Sequence, residues 1–205
     1  MRVTVIDYKA GNLTSVLKAL RHLGAEIEVT DADLDPIARA ERIVLPGVGH
    51  FAATKRLDDS GLTQSIREAI ARYVPFLGIC VGMQWLYAGS SEAPEQSGLA
   101  HFPELCSRFP ECDQKVPHVG WNSLQPRNGS RLLNGITPGE FVYFTHSYRA
   151  PVTPDTVAEA HYIEPFAATV ERNNVFGVQF HPEKSGETGL HILRNFLDFK
   201  SESAC

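Results

Sequence analysis

The hydrophobic pattern of the first 80 residues alternates between short apolar runs and segments with helical spacing. The apolar runs predict strands at residues 2–7, 27–30, 42–45 and 75–80. Between them, apolar positions three and four apart predict helices over residues 13–23 and 62–73. Such alternation of strand and helix, with nearly continuous apolar strands, is typical of a parallel sheet covered on both faces.

The second half of the chain has a different pattern. Residues 90–122 are rich in proline, glycine and polar side chains, and we expect irregular connections with short strands there. β-type runs about ten residues apart then predict antiparallel hairpins that extend a mixed sheet, at residues 141–144, 157–160, 168–170 and 175–180. A closing helix carries Leu190, Leu193, Phe196 and Leu197. The predicted fold is a single α/β domain over residues 1–205, with a mostly parallel central sheet flanked by helices.

Composition narrows the functional classes. The chain has 205 residues and a formal charge of -5, and its basic residues are scattered, which argues against a nucleic-acid-binding surface. No apolar stretch approaches the roughly 20 residues needed to cross a bilayer. The first predicted strand begins at residue 2, so we expect no leader segment. We therefore expect a cytoplasmic protein with reduced thiols. The chain has four cysteines, which are Cys80, Cys106, Cys112 and Cys205. They form no paired C-x-x-C clusters, so we expect no bound metal.

Residues 78–82, Gly-Ile-Cys-Val-Gly, have the spacing of a nucleophile elbow between a strand and a helix. Flanking glycines let a strained turn form without Cβ clashes, and the turn would place the Cys80 sulfur at the carboxyl edge of the sheet. The start of the following helix would favour the thiolate. The alternative is that Cys80 is a buried small hydrophobic residue.

A thiol nucleophile needs a base and a group that orients the base. His181 follows the apolar run 175–180, and Glu183 comes two residues later. In an extended segment these two side chains would point the same way, so Glu183 could hold one ring nitrogen while the other faces Cys80. Alone, this triplet is equally compatible with a solvated turn or a pair of metal ligands.

Together, the Gly-x-Cys-x-Gly-x-Gln elbow and the late His-Pro-Glu resemble the class I (triad) glutamine amidotransferases. Within that family the chain is most similar to the glutaminase subunits of imidazole glycerol phosphate synthase, in histidine biosynthesis. The segments that carry this closer resemblance are residues 7–12, 46–51, 116–122, 145–150 and 181–185. Lys9-Ala10 departs from the family pattern, where glycine followed by a variable residue is usual.

The resemblance implies a flavodoxin-like fold, glutamine as the substrate, no cofactor and a role for each matching residue. Cys80 would attack the side-chain amide, His181 would move the proton and Glu183 would orient His181. The peptide N–H groups of Val81 and Val48 would stabilise the oxyanion. The implied substrate-binding residues are Gly47, Gly49, Gln84, Thr145, His146 and Ser147.

The length of the chain leaves no room for a nucleotide-like acceptor site, since a glutaminase-sized domain uses nearly all of it and no phosphate-binding loop remains. We therefore expect an acceptor site on another protein. The resemblance names that partner as a cyclase subunit with a (β/α)₈ barrel, forming a heterodimer. Asn12, Trp121 and Lys184 match positions near the subunit contact.

Three alternatives stay open at this stage. The chain could be a class I glutaminase of another synthase, such as the one that forms pyridoxal phosphate, although residues 116–122 and 184–185 argue against it. It could be a cysteine hydrolase or peptidase on a similar sheet. It could also be a non-catalytic binding module, although an intact Cys80, His181 and Glu183 count against that.

Overall fold

The computed structural model describes residues 1–9, 13–127 and 129–200. Its helices are α1 (Thr14–His22), α2 (Asp35–Ala38), α3 (Lys55–Asp59), α4 (Leu62–Ala71), α5 (Val81–Gln84) and α6 (Gly186–Asp198). Its strands are β1 (Arg2–Ile6), β2 (Glu26–Thr30), β3 (Ile43–Gly47), β4 (Phe76–Cys80), β5 (Tyr87–Ser90), β6 (Phe102–Arg108), β7 (His118–Ser123), β8 (Gln125–Pro126), β9 (Phe141–His146), β10 (Tyr148–Arg149), β11 (Thr156–Tyr162), β12 (Glu164–Arg172) and β13 (Val175–Val178). Phe51–Thr54 and Pro182–Lys184 form short 3₁₀ turns.

The central sheet has eight strands in the order β2-β1-β3-β4-β13-β12-β11-β8. The first five strands of that order pair in parallel and the remaining pairs are antiparallel. The predicted α/β fold with a mostly parallel sheet is therefore confirmed. The inner parallel strands are buried on both faces, β4 at every position, which explains their unbroken apolar runs.

The helices beside the parallel strands follow their predicted spacing. In α1, Val16, Ala19 and Leu20 are buried, and the chain turns at Gly24 with a φ of 84°. In α4 the buried side chains are Leu62, Ile66 and Ala69. One apolar core cluster runs through the described part of the chain. The limits of the domain at residues 1 and 205 stay a prediction.

The expectation for residues 90–122 is confirmed, since β6 and β7 are short strands of seven and six residues between irregular connections. One expectation for the second half is wrong. The 141–144 run does not extend the central sheet; as β9 it pairs with β7 in a separate two-stranded ribbon. One face of this ribbon is solvent-exposed, including Phe141, which is 57% exposed, so β9 is a half-buried strand rather than a central one.

The sheet order brings three strand ends together at one edge. The register pairs Gly47 at the end of β3 with Cys80 at the end of β4, and Ile79 with Val178 at the end of β13. His181 lies three residues beyond that last strand. Among the described helices, the longest has 13 residues and none is long and apolar enough to cross a membrane. The cytoplasmic location stays a prediction.

Candidate active site

The turn between β4 and α5 has the geometry that the glycine spacing predicts. Cys80 has a φ of 54° and a ψ of −108°, a conformation that residues with a side chain rarely adopt. A Cβ on Gly82 would lie 1.9 Å from the carbonyl oxygen of Leu45, and one on Gly78 would lie 2.4 Å from the carbonyl oxygen of Gly82. Both positions therefore require glycine, because backbone atoms occupy the space of a side chain. The elbow prediction is confirmed.

The base is held by hydrogen bonds from a neighbouring strand. The His181 N–H donates to the carbonyl of Tyr143 in β9 at 2.9 Å. The Ser185 hydroxyl donates to the His181 carbonyl at 2.6 Å and accepts from the Tyr143 N–H at 3.0 Å. These bonds tie the segment that carries His181 to the β7–β9 ribbon.

His181 and Glu183 form a buried pair, with Nδ1 and Oε1 2.9 Å apart and both side chains less than 5% exposed. The expected reason for the pairing was wrong, because Glu183 lies on a 3₁₀ turn and not on an extended segment. Pro182 begins that turn, and the turn folds the carboxylate back onto the ring.

The proton on His181 is held strongly. Burial lowers the pKa of His181, but the charge of the Cys80 sulfur, its polar contact with the ring and the Glu183 carboxylate together raise that pKa to about 10. Nε2 is buried and has no hydrogen bond of regular geometry to a described residue. The sulfur and the ring are thus electrostatically coupled, as a thiolate and an imidazolium would be.

Gln179 is a polar neighbour of the sulfur that the sequence analysis did not single out. Its Nε2 lies 3.7 Å from Cys80 Sγ, and its side chain is fully buried. Gln84 Nε2 donates to Gln179 Oε1 at 3.1 Å and to the Tyr148 carbonyl at 2.8 Å. The available signal was a glutamine inside the apolar run 175–180, since a buried amide needs partners.

A cavity of about 230 Å³ opens beside the sulfur. It is smaller than pockets for drug-sized ligands and fits a small amino acid. Seven of the predicted residues line it: Gly49, Cys80, Val81, Gln84, Thr145, His146 and Ser147. Glu92 also lines it, and its carboxylate accepts from the Phe51 N–H at 2.7 Å. Sequence reasoning missed Glu92, because nothing in its polar surroundings marks it.

His146 is a structural part of this cavity wall. Its Nδ1 lies 2.9 Å from the Tyr148 carbonyl and its Nε2 lies 3.3 Å from His118 Nδ1. Burial lowers the pKa of His146 to about 3, and the charges of His118 and His181 add to that effect despite the bond to Tyr148. The ring is therefore neutral, with Nδ1 as the donor. Both nitrogens are occupied, so only the main chain of this residue is available to a ligand.

The segment after β3 contrasts with the elbow. Gly47 and Val48 line a second, smaller cavity with His181 and Glu183, and not the larger one. Gly49 is exposed and has a φ of 101°, with nothing within 4 Å of an added Cβ. A glycine in open space next to Val48 permits the peptide rotation that an adjustable oxyanion donor at Val48 would require.

Of the predicted partner-contact residues, Trp121 lies on the exposed face of the ribbon and Lys184 lies close to it. Trp121 is 55% exposed, and its ring lies 6.0 Å from that of Tyr143. The Lys184 ammonium lies 5.9 Å from the same tyrosine ring. Trp121 is thus not a core aromatic. Asn12 lies outside the described residues.

The described residues contain no group of three His, Cys, Asp or Glu side chains that could hold a metal ion. Their free cysteines are Cys80, Cys106 and Cys112. The site offers a thiol, an imidazole and a carboxylate next to a cavity of amino-acid size.

Comparison with known proteins agrees with this chemistry. The chain is 46% identical over 198 residues to "Imidazole glycerol phosphate synthase subunit HisH" of Moorella thermoacetica, covering 95% of this chain and 93% of that protein. It is 41% identical to "Imidazole glycerol phosphate synthase hisHF" of Emericella nidulans, covering 96% of this chain and 38% of that longer protein.

Among solved structures, one described as "Crystal structure of glutamine amidotransferase" superposes with a TM-score of 0.75 at 19% identity, covering 96% of this chain and 97% of that one. The structure of PurLQS from Thermotoga maritima superposes with a TM-score of 0.73 at 21% identity, covering 96% and 97%. Both likenesses establish the fold. The family model "Glutamine amidotransferase class-I" matches residues 4–199, and the chain belongs to that family.

Proposed function

We propose that the chain is the glutaminase subunit of imidazole glycerol phosphate synthase, which hydrolyses glutamine to glutamate and passes the ammonia to a cyclase subunit. The observation that carries the proposal is the buried Cys80–His181–Glu183 constellation beside a cavity of amino-acid size. Relatives that bear this name match nearly the full length of the chain. An intact triad argues against a non-catalytic module.

In the first half of the reaction, the Cys80 thiolate attacks the carbonyl carbon of the glutamine side chain. The negative oxygen of the tetrahedral intermediate accepts hydrogen bonds from the N–H of Val81 and from the peptide N–H of Val48 once that group points to it. When the intermediate collapses, the carbon–nitrogen bond breaks and His181 gives its proton to the leaving nitrogen. The products are neutral ammonia and a glutamyl thioester on Cys80.

In the second half, water attacks the thioester. His181 takes the proton of the water and the sulfur leaves as a thiolate, which restores the starting state. Glu183 fixes the orientation of the ring through its bond to Nδ1. Glu92 and the main chain of residues 145–147 line the cavity and are suited to hold the charged amino-acid end of the substrate.

The acceptor chemistry belongs to the partner. Ammonia released into neutral water would be protonated and lose its nucleophilicity, so it has to travel within the complex. We place the (β/α)₈-barrel cyclase against the exposed face with Trp121, Tyr143 and Lys184. The Emericella relative, which is far longer than this chain, is compatible with a fused partner. The synthase products would be imidazole glycerol phosphate and aminoimidazole carboxamide ribotide.

The test is co-purification with a candidate barrel cyclase, followed by a glutamine-to-glutamate assay with and without the partner and its nucleotide. We expect a stable complex and a much faster reaction within it, since the free Gly49 segment leaves the second oxyanion donor unfixed. Equal rates with and without the partner would show that the partner does not control the glutaminase site. Failure to bind the cyclase, with retained glutaminase activity, would favour the glutaminase of another synthase.

A further inference from the structure

The small cavity that adjoins the triad has a volume of about 20 Å³. Tyr8, Gly47 and Val48 line it together with His181 and Glu183. Cys80 lines the larger glutamine cavity and not this one. The Cys80–His181 pair therefore connects the two cavities, with the sulfur in the wall of one and the imidazole in the wall of the other.

Two buried polar atoms, Tyr8 Oη and Glu183 Oε2, belong to residues that line this cavity and have no hydrogen-bond partner among the described residues. His181 Nε2 also lacks a bond of regular geometry, but Nδ1 is bonded to Glu183 and the ring's other nitrogen is in polar contact with the Cys80 sulfur. Only eight buried side-chain atoms in the described chain lack a partner, and two of the seven other than His181 Nε2 belong to residues of this one very small cavity. Because native proteins satisfy nearly all buried polar atoms, this concentration points to a bound polar molecule.

The position of the Tyr8 hydroxyl is fixed by packing. Tyr8 is 2% exposed, and its Oη lies 2.0 Å from the point where a Gly47 Cβ would be. The hydroxyl thus rests against the segment that leads to Val48. Burial, with a smaller contribution from the Cys80 charge, raises the pKa of Tyr8 well above its usual value. Tyr8 therefore keeps its proton and remains a donor throughout catalysis.

The chemistry of the cavity selects its occupant. A volume of about 20 Å³ holds one water-sized molecule. Tyr8 offers a proton, so the occupant needs a lone pair, and the Glu183 carboxylate oxygen accepts one, so the occupant also needs a hydrogen to donate. Water and neutral ammonia meet both requirements. Ammonium could donate to both groups, but it would leave the buried Tyr8 hydroxyl hydrogen without an acceptor.

We propose that this cavity is a binding site for one small neutral hydrogen-bonding molecule, water or ammonia, and that Tyr8 is the positioning residue that holds it against Glu183. In this position the molecule gives the second carboxylate oxygen of Glu183 a partner and thereby fixes the triad. The part that concerns ammonia rests on the proposed function. The nitrogen that leaves the tetrahedral intermediate takes the His181 proton, and His181 lines this cavity.

The first test is a crystal structure of the unmodified protein at 1.5 Å resolution or better. We expect electron density for one molecule within 3.2 Å of both Tyr8 Oη and Glu183 Oε2, as is usual for hydrogen-bonded oxygen atoms. A cavity without density overturns the proposal. This measurement is independent of the proposed function, because it uses neither glutamine nor a partner.

The second test compares Tyr8→Phe with Tyr87→Phe in the complex with the cyclase. Tyr87 is a matched control, since it is fully buried, its hydroxyl also lacks a partner and it lines neither cavity. We expect Tyr8→Phe to lower kcat for glutamine about tenfold, the effect of one net hydrogen bond, with KM unchanged. Tyr87→Phe is expected to change neither. An unchanged kcat in a folded Tyr8→Phe protein contradicts the positioning role.

The amount of nitrogen transferred to the cyclase product per glutamine cleaved identifies the molecule that occupies the cavity during turnover. A lower ratio in Tyr8→Phe assigns ammonia to the site, and an unchanged ratio with a reduced kcat assigns water. If the wild-type complex does not cleave glutamine at all, the proposed function fails, whereas the density at Tyr8 still decides whether the site exists.

Discussion

The ends of β3 and β4 lie side by side at the reaction centre, yet they are built in opposite ways. At the end of β4, backbone atoms fill the space beside Gly78 and Gly82, so Cys80 has a single fixed position. Two residues beyond the packed Gly47 that ends β3, nothing lies within 4 Å of a Cβ on Gly49, and that residue has a positive φ. In the proposed mechanism the nucleophile thus has a fixed position, whereas the orientation of the second oxyanion donor can be set by a partner.

The largest expected effect comes from a substitution in the tightly packed turn that follows β4. Gly82→Ala forces a Cβ to within 1.9 Å of the Leu45 carbonyl oxygen, where neither backbone can move freely. We expect a loss of more than about 3 kcal/mol in the free energy of unfolding, or no soluble protein. Urea unfolding measures it. A variant as stable as wild type would show that the elbow is not packed as described.

Removing the carboxylate of the triad tests orientation rather than packing. Glu183→Gln keeps the size of the side chain but loses the charge that holds the imidazolium. We expect kcat for glutamine to fall about a hundredfold or more, with KM nearly unchanged, because the proton transfers fail while binding persists. Steady-state kinetics of the complex measures it. A loss confined to KM would place Glu183 in substrate binding instead.

A substitution in the open segment that follows β3 has a smaller and different expected effect. Gly49→Ala meets no steric clash, but alanine resists a φ of 101°, so we expect at most about 2 kcal/mol of lost stability. The rotation of this segment is restricted, and we therefore expect a lower ratio of partner-stimulated to partner-free glutaminase rates. If Gly49→Ala leaves that ratio intact, the segment is not the gate.

The smallest expected effect is on the pH dependence of the free energy of unfolding. The pKa of His181 is raised to about 10 in the folded protein from an ordinary value near 6.5. The imidazolium therefore stabilises the fold fully below about pH 6.5, and that contribution is lost as the pH rises to about 10. Glu183→Gln removes the charge that pairs with the imidazolium and so weakens this contribution. The difference in the free energy of unfolding between wild type and variant should therefore shrink from pH 6 to pH 10. Urea unfolding at several pH values detects this; a constant difference contradicts the ion pair.

The parallel half of the fold and the elbow at Cys80 follow from local patterns in the sequence. Strands 2–7 and 75–80 are continuous apolar runs, and the glycines around Cys80 mark a turn that only glycine can flank. Such signals depend on neighbouring residues alone. For that reason the elbow could be predicted without coordinates.

The features that depend on distant contacts could not be predicted. The alternation in residues 141–146 indicates a half-buried strand but does not tell that it pairs with residues 118–123 away from the central sheet. Likewise, no local pattern in the sequence indicates that Tyr8 lies next to Gly47 or that Gln179 lies next to Cys80. The role of a buried polar group depends on the group that it contacts, and local sequence patterns do not identify that group.

The most direct test of the central claim is the Cys80→Ser variant assayed in complex with the cyclase, with glutamine and then with ammonium salts as the nitrogen source. Serine keeps the size of the side chain but is a far weaker nucleophile without the thiolate. We predict that glutamine-dependent turnover is abolished while ammonia-dependent turnover survives at the wild-type rate. Loss of both activities would contradict the account, because it would make Cys80 a structural residue.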